Sequence, residues 1–521
     1  MMPTFLEHDT GKTNMKHLDD TPRLVGIDLG TSSLKVVLLN DAARVVGVAT
    51  AAYPIESNAS GQAEQHPDDW WMALRTALSA ALAQCGGRTD ALLGIGLSGQ
   101  MHGIVAIDAQ HQPLRSAILW ADQRGGEEVA HIQQAIDQDT LVQTTGSHAS
   151  AAFSAPKILW LRRHEPTVFE RCATILQPKD YLRVRLTGEI VTEATDASGT
   201  LLFDLQQRDW SDMLLDSLDL PRRLFAPVCP SLRQVGVVSL AAATELGIPA
   251  GVPVIAGAAD TPAQAVGYGV LDSGKVLATI SSGGQLLAPM DHPFVDPAGR
   301  VHTLCHIAPD RWYLLGALQA AGLALHWFRD QLLQDREPPS FEALTAAAAQ
   351  VPIGARGLIF LPYLLGERTP HMDNYARAVF FGFTLQHDRA AATRAVMEGV
   401  AFAFRDALHV FQELGLQIDV MCLGGGGSRS PLWRRIFADV LGMPVQLPAA
   451  AQGAAHGAAL LAGVGVGYFR DLADATSTIG RVVETIEPHA EGIKRYNDLY
   501  TIYTRVYANL REQFKALSSF A

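Results

Sequence analysis

Apolar residues fall into short blocks at Leu24–Asp28, Leu34–Leu39 and Val45–Tyr53, separated by glycine, hydroxyl and charged positions. That is the pattern of consecutive β-strands joined by tight turns. A helical pattern follows from Asp68 to about Gln84, with Asp68 suited to cap it after Pro67 and Gly86-Gly87 to stop it. Next come an apolar strand at Leu92–Leu97, a loop, and another strand at Gly103–Asp108. Strands that give way to alternating helices and strands predict an α/β domain built on a mixed sheet.

A second cycle begins near residue 254. Val254-Ile255 lead into Ala256-Gly257-Ala258-Ala259-Asp260 and a small-residue segment, Pro262 to Gly269. Lys275–Ile280 then enters Ser281-Ser282-Gly283-Gly284-Gln285 and leaves through Leu286-Leu287, repeating the opening plan of strand, hydroxyl and glycine turn, strand. Further on, Arg389–Leu414 reads as a long helix ending at Gly415, and Pro431–Leu441 as a helix capped by Ser430 and stopped by Gly442. Tyr496, Leu499, Tyr503, Val506, Leu510, Phe514 and Leu517 form one apolar stripe on a final helix, which should dock on a domain surface.

Composition narrows the partners. A chain of 521 residues with 48% hydrophobic residues can bury large cores and should divide into two large domains. Lys and Arg number 41 against 53 Asp and Glu, with no basic run interleaved with aromatics, which argues against nucleic acid and for a small substrate. The five cysteines lack CxxC spacing or histidine pairs, which argues against a disulfide framework and against structural zinc and suits a reducing cytoplasm. No stretch approaches the roughly 20 apolar residues of a membrane span. Residues 1–22 are polar and mixed in charge, so a disordered leader is expected there.

Three segments carry candidate chemistry. In Gly26-Ile27-Asp28-Leu29-Gly30-Thr31-Ser32-Ser33, Gly30 allows the turn to approach an oxyanion, the backbone and the hydroxyls of Thr31, Ser32 and Ser33 can donate, and Asp28 can hold a hydrated Mg²⁺. An ordinary hairpin with a satisfied acid is the plain alternative. Two such hairpins, one per half, would clamp a polyphosphate from both sides. The strand Val420–Leu423 delivers Gly424-Gly425-Gly426-Gly427 to a helix start, which lets backbone approach a flat or anionic ligand. Gly453-Ala454-Ala455-His456-Gly457-Ala458-Ala459 has small residues on most faces and reads as a close-packing helix.

Together these pieces resemble the FGGY carbohydrate kinases, and within them the branch that phosphorylates D-xylulose. The likeness runs from about Leu24 to the final helix. It is carried by GIDLGTSSLK at 26–35, GLSGQMHG at 96–103, ILWADQR at 118–124, FSAPKILW at 153–160, GAADTPAQAVG at 257–267, FLPYLLGERTPH at 360–371 and GGGSRSPLWRRIFADVLG at 425–442. The resemblance implies two actin-like, ribonuclease-H-like α/β domains with a catalytic cleft between them: an N-terminal domain over 23–255, a C-terminal domain over 256–480 and a closing helix over 481–521.

By matching position, the resemblance makes Asp260 the catalytic base and Asp28 the acid that assists Mg²⁺. It places Gln100, Met101, His102 and Thr261 on the sugar, Gly30, Thr31 and Ser32 in the first phosphate loop, and Ser281, Ser282 and Gly283 in the second. Gly425, Gly426, Gly427, Ser428 and Arg429 match the adenosine site. Ser281 and Ser282 replace a glycine and a threonine common in relatives, Thr261 an amide residue, and Gln452 an acid. The implied reaction is transfer from ATP, with Mg²⁺, to D-xylulose in the cytoplasm, with no nucleic-acid or membrane partner. A homodimer is left open. Alternatives are a kinase for ribulose, another pentulose or glycerol, or a non-kinase ATPase of the actin fold.

Overall fold

The computed structural model describes residues 20–520 apart from 59–60, 334–336, 449–451 and 480–481. Of the expected leader, residues 1–19 lie outside the described residues, while Thr21 and Pro22 are buried.

The opening strands form as Leu24–Leu29, Ser33–Leu39 and Val45–Ala52, an antiparallel meander. The next strand runs over Gly94–Gly99, two residues beyond the expected Leu92–Leu97. It pairs in parallel with Leu24–Leu29 residue for residue, and that pairing carries it to Gly99. Pro253–Ile255 joins it in parallel and Gln234–Val237 closes the edge antiparallel, while Ala258–Ala259 also pairs with Gly94–Gly99, giving seven strands.

The second half repeats the plan. Gly274–Ile280, Gly284–Met290 and Trp312–Leu318 form the meander, with His302–Cys305 added at its edge. Ile418–Gly424 and Val445–Pro448 follow in parallel, and Val482–Ile486 ends the sheet antiparallel, again seven strands. Two sheets of the same plan, each with its own buried core, are the duplicated actin-like arrangement expected of the chain.

Helix termini follow local chemistry with one correction. The helix Pro67–Ala83 is capped by His66, whose Nδ1 accepts from the Asp68 N–H at 3.3 Å, and not by Asp68. Pro67 takes the first helical position, where its missing N–H costs nothing. The helix Pro431–Leu441 has the expected Ser430 cap and left-handed Gly442. In the final helix, Ala490–Leu517, the stripe is buried at Tyr496, Tyr503, Val506 and Phe514, but Leu517 is 56% exposed because the helix has run past its partner surface.

The helix Ala454–Gly465 belongs by sequence to the second half yet packs on the first sheet. Its small residues allow backbone contact: a Cβ at Gly26 would lie 1.9 Å from the Ala455 carbonyl oxygen, and one at Gly96 2.0 Å from that of Ala458. On its other side, Gly457 meets the helix Asp260–Gly267, where a Cβ would lie 1.8 Å from the Ala263 carbonyl oxygen. These contacts seat Asp260 at the junction of the halves.

Candidate active site

Strand register assembles the acid end of the cleft. Asp28 is paired with Lys35 across the first hairpin and with Ser98 on the neighbouring strand. The Ser98 hydroxyl donates to Asp28 Oδ1 at 2.8 Å. Lys35 Nζ donates to the carbonyl oxygen and Oε1 of Gln452, at 3.1 and 2.9 Å, tying the hairpin to the residue just before the Gly453 turn. Asp260 opens its helix, and the Thr261 hydroxyl donates to its Oδ1 at 3.1 Å. Both carboxyls keep part of their surface open to the cleft. Burial, with Asp28 as a second cause, pushes Asp260 up to about 7, and burial raises Asp28 as well. Two acids that hinder each other's ionisation favour either a shared cation or one proton between them.

The first phosphate turn is braced from behind. Gly30 N donates to the Ser33 carbonyl at 3.1 Å, and the Gly30 carbonyl accepts from the Tyr53 hydroxyl at 2.5 Å. Trp120 Nε1 donates to Thr31 Oγ1 at 2.9 Å, which leaves the threonine proton free to donate outward. Ser32 is exposed at the tip. In the second turn the carbonyls of Ser281 and Ser282 accept from Gly322 at 2.7 Å and Ala321 at 2.9 Å, so the following segment holds the turn. The Ser281 hydroxyl bends back to the Gly283 carbonyl at 3.1 Å, within its own turn.

The glycine loop lies against that second turn. A Cβ at Gly425 would meet the Ile280 carbonyl oxygen at 2.4 Å, and one at Gly427 the Ile280 side chain at 2.5 Å. Gly425 also has φ +79°, so glycine is required there for both reasons. Gly426 is different: a Cβ there meets nothing within 4 Å and would point into open space. Ser428 Oγ donates to the Gly425 carbonyl at 2.7 Å, closing a short turn, while Arg429 is exposed and adds to the burial that lowers the Lys35 pKa. Tyr268, at the end of the helix that Asp260 begins, accepts from the Gly425 N–H at 3.3 Å. One helix thus spans from the acid to the glycine loop.

Of the residues expected on the sugar, Thr261 stands beside Asp260, while Gln100, Met101 and His102 follow the strand Gly94–Gly99. His102 has φ +64°, with the Gly103 N–H donating back to the Met101 carbonyl at 2.9 Å, a strained tight turn. Its Nδ1 lies 2.6 Å from the Gly199 carbonyl, which can only accept, so Nδ1 carries the proton and Nε2 is left as an acceptor. Burial pulls its pKa down to about 3, keeping the ring neutral. Met101 is buried beside Ala259 and Tyr313. Gln100 donates to Gln65 Oε1 at 3.1 Å, and its own Oε1 is buried without a hydrogen-bond partner among the described residues. Gln65 in turn donates to the Thr31 carbonyl at 2.6 Å, linking phosphate turn to sugar loop.

The arrangement is an acid pair with two hydroxyl and glycine turns, a glycine loop and the turn at residues 100–102. The N-terminal domain of the FGGY family of carbohydrate kinases matches residues 23–267, and its C-terminal domain matches residues 282–466. The chain belongs to this family. The kinase is 35% identical to the xylulose kinase of Bacillus subtilis, over 95% of this chain and 99% of the relative. It is 36% identical to that of Escherichia coli, over 93% and 99%. The crystal structure of xylulose kinase from Rhodospirillum rubrum matches with a TM-score of 0.85 at 33% identity, covering 94% of this chain and 99% of that one.

Under its acid pair the kinase carries a buried charge cluster that sequence reasoning missed. Lys179 Nζ lies 2.6 Å from Asp180, 3.2 Å from Asp196 and 3.5 Å from Glu193, and Arg183 donates to Asp180 at 2.7 Å. Three carboxyls face two cations, and burial raises Asp196 well above the usual carboxylate range. Glu193 accepts from the Thr195 hydroxyl at 2.8 Å, and Thr195 Oγ1 accepts the N–H of Ala259 at 2.8 Å, immediately before Asp260. The cluster therefore positions the acid through the backbone. Lys35 was within reach of the sequence, since hairpin register sets it opposite Asp28. Gln65 and Thr195 had no sequence signal, because each acts through a partner 30 or more positions away.

Proposed function

We propose that this kinase transfers the γ-phosphate of ATP to a terminal hydroxyl of D-xylulose, giving D-xylulose 5-phosphate and ADP, and that it works in the cytoplasm. The observation that carries the reading is Asp260, a carboxyl raised to about 7 at the junction of two phosphate-binding turns. Its carboxylate takes the proton of the attacking hydroxyl as the new O–P bond forms and the bond to the ADP oxygen breaks. Gly30, Thr31 and Ser32 on one side and Ser281, Ser282 and Gly283 on the other bind the phosphates. Gly425, Gly426, Gly427, Ser428 and Arg429 take the adenosine, and Gln100, Met101, His102 and Thr261 the sugar. The curated relatives named for xylulose support the substrate, and the five buried free cysteines agree with a reducing compartment.

Asp28, raised by burial against the lowering effect of the Ser98 hydroxyl and Lys35, has the donor chemistry for Mg²⁺, which usually takes one or two carboxylates together with substrate phosphates. When bound, the ion would neutralise charge on the transferred phosphoryl group. The protein's own part is alignment and exclusion of water.

ADP release against D-xylulose, L-xylulose, D-ribulose, L-ribulose, gluconate and glycerol tests the reading: D-xylulose should give the highest kcat/KM. A different best substrate would move the assignment to another carbohydrate kinase, and ATP turnover indifferent to every sugar would remove the kinase reading.

Because Asp260 must be ionised to act, kcat/KM should fall as pH drops through about 7 and should be insensitive to pH just above it. A pH profile whose acid limb lies near the ordinary carboxylate value would contradict this.

Gly426→Val should fold normally and weaken ATP binding with little change in sugar binding, since its side chain would enter open space beside the loop. Calorimetry on the folded variant checks it; unchanged ATP affinity would remove the loop from the nucleotide site.

A further inference from the structure

The cleft is polarised. Asp28 and Asp260 lie together at one end. His102, Lys157, His302 and Arg368 gather at the other: the Thr369 hydroxyl, next to Arg368, donates to the Arg300 carbonyl, two residues before His302, at 2.7 Å, and burial first, with the Arg368 charge behind it, lowers both imidazoles and the ammonium. Phe153 joins the two histidines, its ring centroid 4.7 Å from that of His102 and 5.3 Å from that of His302. Three of these four groups have work to do within the protein. His102 donates to Gly199, and His302 Nδ1 lies 3.2 Å from Ser147 Oγ. Lys157 Nζ faces the carbonyls of Ala151, Ala152, Phe153 and His102 at 2.5–3.4 Å.

Arg368 has no such employment. Its guanidinium makes no hydrogen bond or ion pair among the described residues, although the side chain is partly buried and burial lowers its pKa. The adjacent Glu367 offsets its charge only in part, because burial pushes that carboxyl up to about 8 and its Oε1 accepts from the N–H groups of Gln319 and Arg368. The backbone on either side is fixed: Thr369 donates to the Ala317 carbonyl at 3.0 Å, and Met372 to that of Arg368 at 2.6 Å. A half-buried guanidinium on a fixed backbone, with donors that no described residue uses, offers them to a ligand in the cleft.

A ketose offers matching chemistry. The hydroxyl to be phosphorylated must give up a proton and belongs at Asp260. The ketone oxygen at the far end can only accept, and needs donors. We propose that Arg368 is a specificity-determining residue that donates to the carbonyl-bearing end of the ketose, orienting the chain so that its opposite terminal hydroxyl lies at Asp260. This rests on the D-xylulose reading above and goes further by assigning which end of the sugar each side of the cleft receives.

The test compares wild type and Arg368→Met with D-xylulose and with xylitol, in which the carbonyl is reduced to an alcohol. Wild-type turnover of D-xylulose comes first; its absence would defeat the substrate reading itself. Given that activity, R368M should lower the preference for D-xylulose over xylitol by roughly 10–100-fold, the worth of one charge-assisted hydrogen bond, mainly through KM and with ATP affinity unchanged. Equal losses for the two substrates would show a scaffolding residue and overturn the inference, as would an unaltered preference. Arg368→Lys keeps the charge without the planar fork and should fall between; it carries the same comparison should R368M not fold.

Discussion

Asp260→Ala is expected to lower turnover by roughly 10²–10⁴-fold, the usual worth of a positioned general base. ATP affinity should stay close to wild type, because the residues expected on the nucleotide lie on the turns and the glycine loop and do not include this carboxyl. Thr261 would lose its acceptor, a minor change since its hydroxyl can turn to another. Single-turnover kinetics at saturating ATP and sugar measure the chemical step directly. Turnover within a factor of a few of wild type would show that the hydroxyl loses its proton elsewhere. Asp260→Asn sharpens the comparison, for it keeps shape and hydrogen bonding while removing the base, and should be about as slow as the alanine variant.

Gly457→Ala should produce the largest loss of stability. Two effects compete at this helical position. Alanine improves helix propensity by about 1 kcal/mol over glycine. Its Cβ, however, would stand 1.8 Å from the Ala263 carbonyl oxygen, and backbone on backbone leaves no flexible tip to move aside. Overpacking costs about 1–3 kcal/mol even where side chains can adjust, so the steric effect wins and the two helices must separate. Because one of them begins at Asp260 and the other follows Gln452, the partner of Lys35, activity should fall along with the urea midpoint. Gly126→Ala, whose added Cβ meets nothing within 4 Å, serves as the control and should leave the midpoint in place or raise it slightly. A Gly457→Ala protein as stable as wild type would mean that the helix pair tolerates a wider spacing.

What the residue pattern settled by itself was everything governed by neighbours along the chain. Hydrophobic blocks broken by Gly30 or by Gly283-Gly284 specify hairpins because a strand must alternate or bury and a turn must bend. Ser430 with Pro431, and Gly442 after the last turn, specify a helix because they answer its unsatisfied ends. The small residues of 453–459 announced close approach, though not to what. The tertiary structure alone decided that this late helix lies on Gly26 and Gly96 of the first sheet, and that Gln65 joins Thr31 to Gln100. It also decided the charge states, raising Asp260 and keeping His102 neutral. Desolvation depends on every group that closes over a side chain, and those groups come from segments separated by hundreds of residues, so no local window contains the information.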